Sequence, residues 1–323
     1  MKIGEVKMIE DGLYCDGGSK WMSIGSEGNI YICNAFMYQS DYSIGNIFED
    51  DIILDTNFRR CPIQSCDQIC DRHWSKKKIY KNGVIMDEQD VTDPNYYALF
   101  ENTTSVLWAP TWKCNYSCTY CGLPRKDLFP DIPNACDEFT ADEWIEAFSK
   151  FFSNNNIDGG IWHTNGGEPL YFKDIGKIFS FFNSRHFKIC LTTNLSYPIY
   201  DKIITVLPTH WDAVEINCSL HPSDKNFDWT MFKSRVMSLA SFGYNVSVNF
   251  VGHPDQISLS YEYKEWCDKI GINFALIPLI GDVGDAHFHS VDDYPEPMKE
   301  IIQELTVVNL QDETSRFSDG ERV

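Results

Sequence analysis

Between Thr104 and Gly281 the chain repeats one pattern, a short apolar run followed by a stretch of helical periodicity. The apolar runs are Ser105–Ala109, Gly160–His163, Phe187–Thr192, Ala213–Ser219, Val246–Val251 and Phe274–Leu279. They are strand-length and apolar enough to be buried strands. Between the first two, Thr140-Ala141-Asp142-Glu143 has capping-box spacing ahead of Trp144, Phe148 and Phe151. Ile175, Ile178, Phe179 and Phe182 mark one face of another helix. Phe232, Val236 and Leu239 mark a further one that stops at Gly243, and Tyr261–Ile270 and Met298–Leu305 supply two more. Strands alternating with helices form parallel βαβ units. Roughly 180 residues at about 30 per unit hold about six units, whereas a closed eightfold barrel takes about 250 residues. The expected fold class is α/β, a partial (βα)6 TIM-type barrel with a C-terminal helix over 102–323. In such barrels function collects at the C-terminal ends of the strands.

Residues 1–78 read as a small irregular domain, with strands at Trp21–Ile24 and Asn29–Ile32 and a closing basic run, Lys76-Lys77-Lys78. Residues 79–101 are polar and rich in turn signals (Asn82-Gly83, Asp93-Pro94-Asn95), which predicts a linker. Of the 323 residues 43% are hydrophobic and 23% charged, an ordinary globular balance. No apolar run reaches the roughly 18 residues a membrane helix needs, and no signal peptide is visible after Met1-Lys2-Ile3-Gly4-Glu5. The expectation is a cytoplasmic protein without a membrane partner. With 47 acidic against 27 basic residues the net charge is −20, which repels phosphate backbones and argues against nucleic acid.

Twelve cysteines in a reducing compartment are better read as metal or redox groups than as disulfides. The strongest pattern follows the first barrel strand, Lys113-Cys114-Asn115-Tyr116-Ser117-Cys118-Thr119-Tyr120-Cys121. Three thiolates in one loop can wrap an iron–sulfur cluster and leave one iron without a protein ligand, the open position that catalysis needs. A zinc knuckle completed by a histidine is the bland alternative.

The CxxxCxxC loop at this place in a partial barrel resembles the radical S-adenosylmethionine (SAM) superfamily. Gly166-Gly167-Glu168-Pro169 after the second strand is similar to that family's GGEP motif. Thr192-Thr193-Asn194 ends the third strand, and Ser219-Leu220-His221 the fourth, where the family also places polar residues. The resemblance implies that Cys114, Cys118 and Cys121 hold a [4Fe-4S] cluster whose fourth iron takes SAM. It implies that Gly166, Gly167 and Glu168 receive the SAM amino group, that Asn194 and Ser219 bond its ribose or carboxylate, and that Tyr120 covers the cluster near adenine. An electron donor such as flavodoxin or ferredoxin is implied as partner.

The amino-terminal cysteines form a second pattern. Cys15, Gly28 and Cys33, then Cys61, Cys66 and Cys70, resemble a SPASM/twitch-like domain, which implies an auxiliary [4Fe-4S] cluster. Five thiols exceed the four ligands of one cluster, a zinc site stays open, and the domain normally follows the barrel instead of preceding it. Cys136, Cys190, Cys218 and Cys267 read as structural; Cys218 alternates with Ser219 and is expected to point outward. Cys190 and Cys136 could donate a hydrogen atom, and His163, His221 and His253 could touch substrate. The expected activity is reductive cleavage of SAM and abstraction of a substrate hydrogen atom, for oxidation, dehydrogenation or epimerisation of a sugar or other small metabolite. The alternatives are modification of a ribosomally made peptide, or a non-catalytic iron–sulfur electron carrier.

Overall fold

The computed structural model describes residues 13–15, 21–33, 37, 40–49, 51–54, 59–60, 80–81, 84–85, 104–121, 139–208, 213–279, 281–283, 286–288 and 293–305. All six expected barrel strands form, each within one residue of its expected ends. The sheet contains β1 (Trp21–Ile24), β2 (Asn29–Tyr31), β3 (Ser43–Asn46), β4 (Ser105–Trp108), β5 (Gly160–Thr164), β6 (Phe187–Thr193), β7 (Val214–Leu220), β8 (Asn245–Gly252) and β9 (Asn273–Pro278). Its order is β9-β8-β7-β6-β5-β4-β1-β2-β3. From β4 to β9 each strand lies parallel to the next in sequence, the order of an unclosed barrel and not of a doubly wound sheet.

The helices cover one face. They are α1 (Ala141–Asn154), α2 (Ile175–Ser184), α3 (Trp229–Ser241), α4 (Ser260–Lys269) and α5 over 298–305. The capping box at α1 forms as its spacing predicts: Glu143 N–H donates to Thr140 Oγ1 at 3.3 Å, and Thr140 N–H donates to Glu143 Oε2 at 2.7 Å. Among the described residues, the crossover from β6 to β7 holds a five-residue π-helical turn, Tyr200–Ile204, and no α-helix. On the helix-facing side an aromatic core locks α1 and α2 onto β4 and β5, with Trp108, Trp144, Phe148, Trp162 and Phe182 all buried. Trp162 stacks on Phe182 at 3.6 Å between ring centroids. Cys218 and Cys267 lie in this core, as expected for structural thiols.

The amino-terminal segment enters the same sheet. β1 runs parallel to β4, with Trp21 opposite Ser105 and Ile24 opposite Trp108, and β2 and β3 continue as an antiparallel ribbon. All four residues of β1 are buried, the signature of a strand with neighbours on both edges and cover on both faces. β1, β2 and β3, which lie in the span expected as a separate irregular domain, thus belong to the barrel's sheet. Most of that span and nearly all of 79–101 lie outside the described residues. Among the described residues no helix is long and apolar enough to cross a membrane.

Candidate active site

Residue alternation sorts the sheet into two faces. Met22, Ile24, Val106 and Trp108 face the helices, so Trp21, Ser23, Leu107 and Ala109 face inward. Inward parity on β5–β8 selects His163, Cys190, Asn217, Ser219 and Ser247. In register, His163 stands beside Cys190, Cys190 beside Glu215, and Ser219 beside Asn249. Low in the barrel Lys188 and Glu215 pair at 3.0 Å, and above them Ser247 Oγ donates to Asn217 Oδ1 at 2.5 Å. Burial lowers the His163 pKa to about 4, so its ring is neutral at ordinary pH.

The three cysteines follow β4 at the C-terminal end of the sheet, on a loop held from the ends of β5, β6 and β7. Gly167 N–H donates to Thr111 O at 2.9 Å and Glu168 N–H to Lys113 O at 2.8 Å, so the loop after β5 is laced to the one after β4. That approach requires glycine. A Cβ at Gly167 would stand 2.2 Å from Lys113 O, and Gly166 has φ +116° with Thr111 O only 2.7 Å from where its Cβ would be. From the end of β6, Asn194 Nδ2 donates to Asn115 Oδ1 at 3.2 Å and to Cys114 Sγ at 3.7 Å, while Ser196 Oγ donates to Asn115 Oδ1 at 2.8 Å. From beyond β7, Asp224 Oδ2 accepts Ser117 N–H at 2.5 Å and Asn226 Nδ2 donates to Asn115 O at 3.0 Å. Tyr120 reaches the end of β7 as well, its hydroxyl 2.6 Å from His221 Nδ1, and its ring lies 5.9 Å from that of His253.

Glu168 is 0% exposed. Its Oε1 accepts Thr193 Oγ1 at 2.6 Å and Leu170 N–H at 3.0 Å, and its Oε2 accepts Asn194 N–H at 2.7 Å. Burial outweighs these donors and lifts its pKa to about 7. The carboxylate is sealed inside, where it fixes the end of β6 and the turn Pro169–Tyr171. Lys202 Nζ bonds the carbonyls of Leu170 and Phe172 and supplies the nearest positive charge.

The donor set suits a cluster. Burial pushes the Cys114 thiol up to about 11 and Cys118 up to about 12, and each feels the charge of Cys121. Three thiolates together in a half-buried loop are unfavourable alone and are stabilised when a metal centre supplies the opposing charge. Among the described residues no three His, Cys, Asp or Glu side chains converge on one ion. Cys114 Sγ also accepts Tyr116 N–H at 3.4 Å.

The structure thus brings Cys114, Cys118, Cys121, Tyr120, Gly166, Gly167, Glu168 and Asn194 to one end of the sheet. Ser219 lies on the inner face one residue before the end of β7. Of the auxiliary set, Cys33 is buried beside Trp21 and Trp112. Cys15 ends a short strand whose side chains are not described, and Cys61, Cys66, Cys70 and Cys136 lie outside the described residues. Sequence reasoning missed Asn115, Ser196, Asp224 and Asn226, the tethers of the loop. Polar residues beside a motif and just past strand ends are their only signal, and such residues are common.

No protein-family model matches this sequence. No curated protein matches it. Among solved structures the chain is similar to SuiB of Streptococcus suis bound to S-adenosylmethionine, at 15% identity and TM-score 0.49, covering 69% of this chain and 55% of that one. It is similar to native anSMEcpe with bound AdoMet, at 15% identity and TM-score 0.46, over 68% of this chain and 63% of that one. Against SuiB bound to its precursor peptide SuiA the identity is 14% and the TM-score 0.49, over 94% of this chain and 70% of that one. The chain spans 55% and 63% of the length of the first two of these structures.

Proposed function

We propose that this chain is a radical SAM enzyme that abstracts a hydrogen atom from a small-molecule or peptide substrate on the inner face of the barrel. The observation that carries the reading is the lacing of the three-cysteine loop to Gly166–Glu168, to Asn194 and Ser196, and to Asp224 and Asn226. A zinc knuckle needs only its own ligands; a loop anchored from the ends of three other strands builds a site that must hold a second, larger molecule in register. Cys114, Cys118 and Cys121 would hold the [4Fe-4S] cluster. When bound, the cluster and SAM would supply one electron and a 5′-deoxyadenosyl radical.

The chain's own residues would orient and enclose. The carbonyls of Gly166 and Gly167 would accept the SAM amino group, and the Glu168 carboxylate would hold Asn194 in place. Asn194 and Ser219 would bond the ribose or carboxylate, and Tyr120, set by His221, would cover the cluster. Ser247, Asn217 and the Lys188–Glu215 pair would form a polar floor beneath the substrate. A neutral His163 beside Cys190 would add a further polar contact. Four of Cys15, Cys33, Cys61, Cys66 and Cys70 would supply the auxiliary cluster, and a flavodoxin or ferredoxin the electron. Iron analysis after anaerobic reconstitution tests the metal content: about eight irons per chain support two [4Fe-4S] clusters. About four irons with stoichiometric zinc would make the amino-terminal site structural. Release of 5′-deoxyadenosine tests the activity.

A further inference from the structure

The turn after β1 carries a carboxylate that the reaction proposed above does not use. Gly25, just past β1, continues the inward parity of Trp21 and Ser23. The space its side chain would fill is taken by Glu27, for a Cβ on Gly25 would stand 2.3 Å from Glu27 Oε1 and 2.6 Å from Oε2. Because β1 runs parallel to β4, this is the same end of the sheet as the cysteine loop. Tyr31 donates its hydroxyl to Oε1 at 2.9 Å and Ser26 donates to Oε2 at 3.3 Å, with a weaker contact from the Trp112 indole. All three partners are neutral. Among the described residues no lysine, arginine or histidine forms an ion pair with Glu27.

The surroundings make that lack of a cation expensive. Its partners Tyr31 and Trp112 are buried in one cluster with Trp21 and Met37, and burial raises the Glu27 pKa. A desolvated charge without a counter-charge is unfavourable. The side chain is nevertheless only half-buried, so a solute can reach it. A carboxylate in an aromatic wall complements an organic cation, which gains both a charge-assisted hydrogen bond and contact with ring faces. The excess of acidic residues over the whole chain draws such cations toward it.

We propose that the substrate carries an ammonium or guanidinium group and that Glu27 receives it, with Trp21, Tyr31 and Trp112 walling the cation. This rests on the enzymatic reading above, which places the substrate on the inner face. Trp112 lies two residues before Cys114, so the captured group would sit at the edge of the cluster site and fix which part of the substrate faces it.

The test is calorimetric titration of the anaerobically reconstituted full chain with Nα-acetyl-lysine methylamide, Nα-acetyl-arginine methylamide and the neutral Nα-acetyl-norleucine methylamide. The unaltered chain should bind one or both cationic probes at least about tenfold more tightly than the neutral one, and Glu27→Gln should erase that preference. Glu27→Asp, which keeps the charge, should retain part of it. Equal binding of all three probes by the unaltered chain would overturn the proposal, and that arm needs no variant to fold. Weakened SAM binding in Glu27→Gln with the cation preference intact would assign the carboxylate to SAM and equally overturn it. Probe binding requires no turnover, so a chain that releases no 5′-deoxyadenosine contradicts the enzymatic reading without touching this result.

Discussion

Two carboxylates stand at the C-terminal end of the sheet, and the fold treats them in opposite ways. Glu168, past β5, is sealed, accepts three hydrogen bonds and has Lys202 near it. Glu27, past β1, is half-buried, accepts from neutral donors and has no cation among the described residues. The difference separates a residue that builds the site from one left to meet something else. Both occur in glycine-bearing turns of similar composition, Gly25-Ser26-Glu27-Gly28 and Gly166-Gly167-Glu168. Only the packing tells them apart.

The contrast breaks most readily at Glu168. Glu168→Ala leaves the Asn194 and Leu170 amides and the Thr193 hydroxyl without their acceptor, and the expected loss is about 3–5 kcal/mol in chemical denaturation. Glu168→Gln keeps the shape and one acceptor oxygen, and should lose about 1–2 kcal/mol. A fully stable Glu168→Ala would return this residue to the role of direct SAM ligand. The next effect is one of pH. His163 is held neutral, its pKa lowered by burial from 6.5 to about 4, so its contribution to stability is complete above 6.5 and is lost as pH falls toward about 4. His163→Gln should therefore lose less stability than the unaltered chain between those two pH values, followed by urea midpoints. Parallel curves would mean that the ring is charged in the folded chain. The smallest effect is expected at Glu27. Because Gln keeps an acceptor for the Tyr31 hydroxyl and removes an uncompensated charge, Glu27→Gln should change stability by no more than about 1 kcal/mol in either direction. A loss as large as that of Glu168→Ala would make Glu27 a structural residue.

The parts legible in the sequence are those written locally. The capping box at Thr140, the apolar face of α2 and the six parallel strands each follow from periodicity within a dozen residues. The cysteine loop and the two glycines were legible for the same reason: their residue types and spacing state the requirement directly. What could not be read is pairing between distant segments. β1 joins β4 across some 80 intervening residues, and the only local hint was a run apolar on both faces, Trp21-Met22-Ser23-Ile24. The burial of Glu168 was hidden likewise, since its acceptors' partners, Thr193 and Asn194, lie on the next strand.

The central claim is that the anchored three-cysteine loop turns over SAM. The measurement that tests it most directly is 5′-deoxyadenosine release by the anaerobically reconstituted chain given SAM and a strong one-electron reductant. The account predicts release by the unaltered chain, and none by the chain with Cys114, Cys118 and Cys121 all changed to Ala, which should also lose about four irons. Equal release from both would contradict it, as would no release from an unaltered chain carrying its full complement of iron.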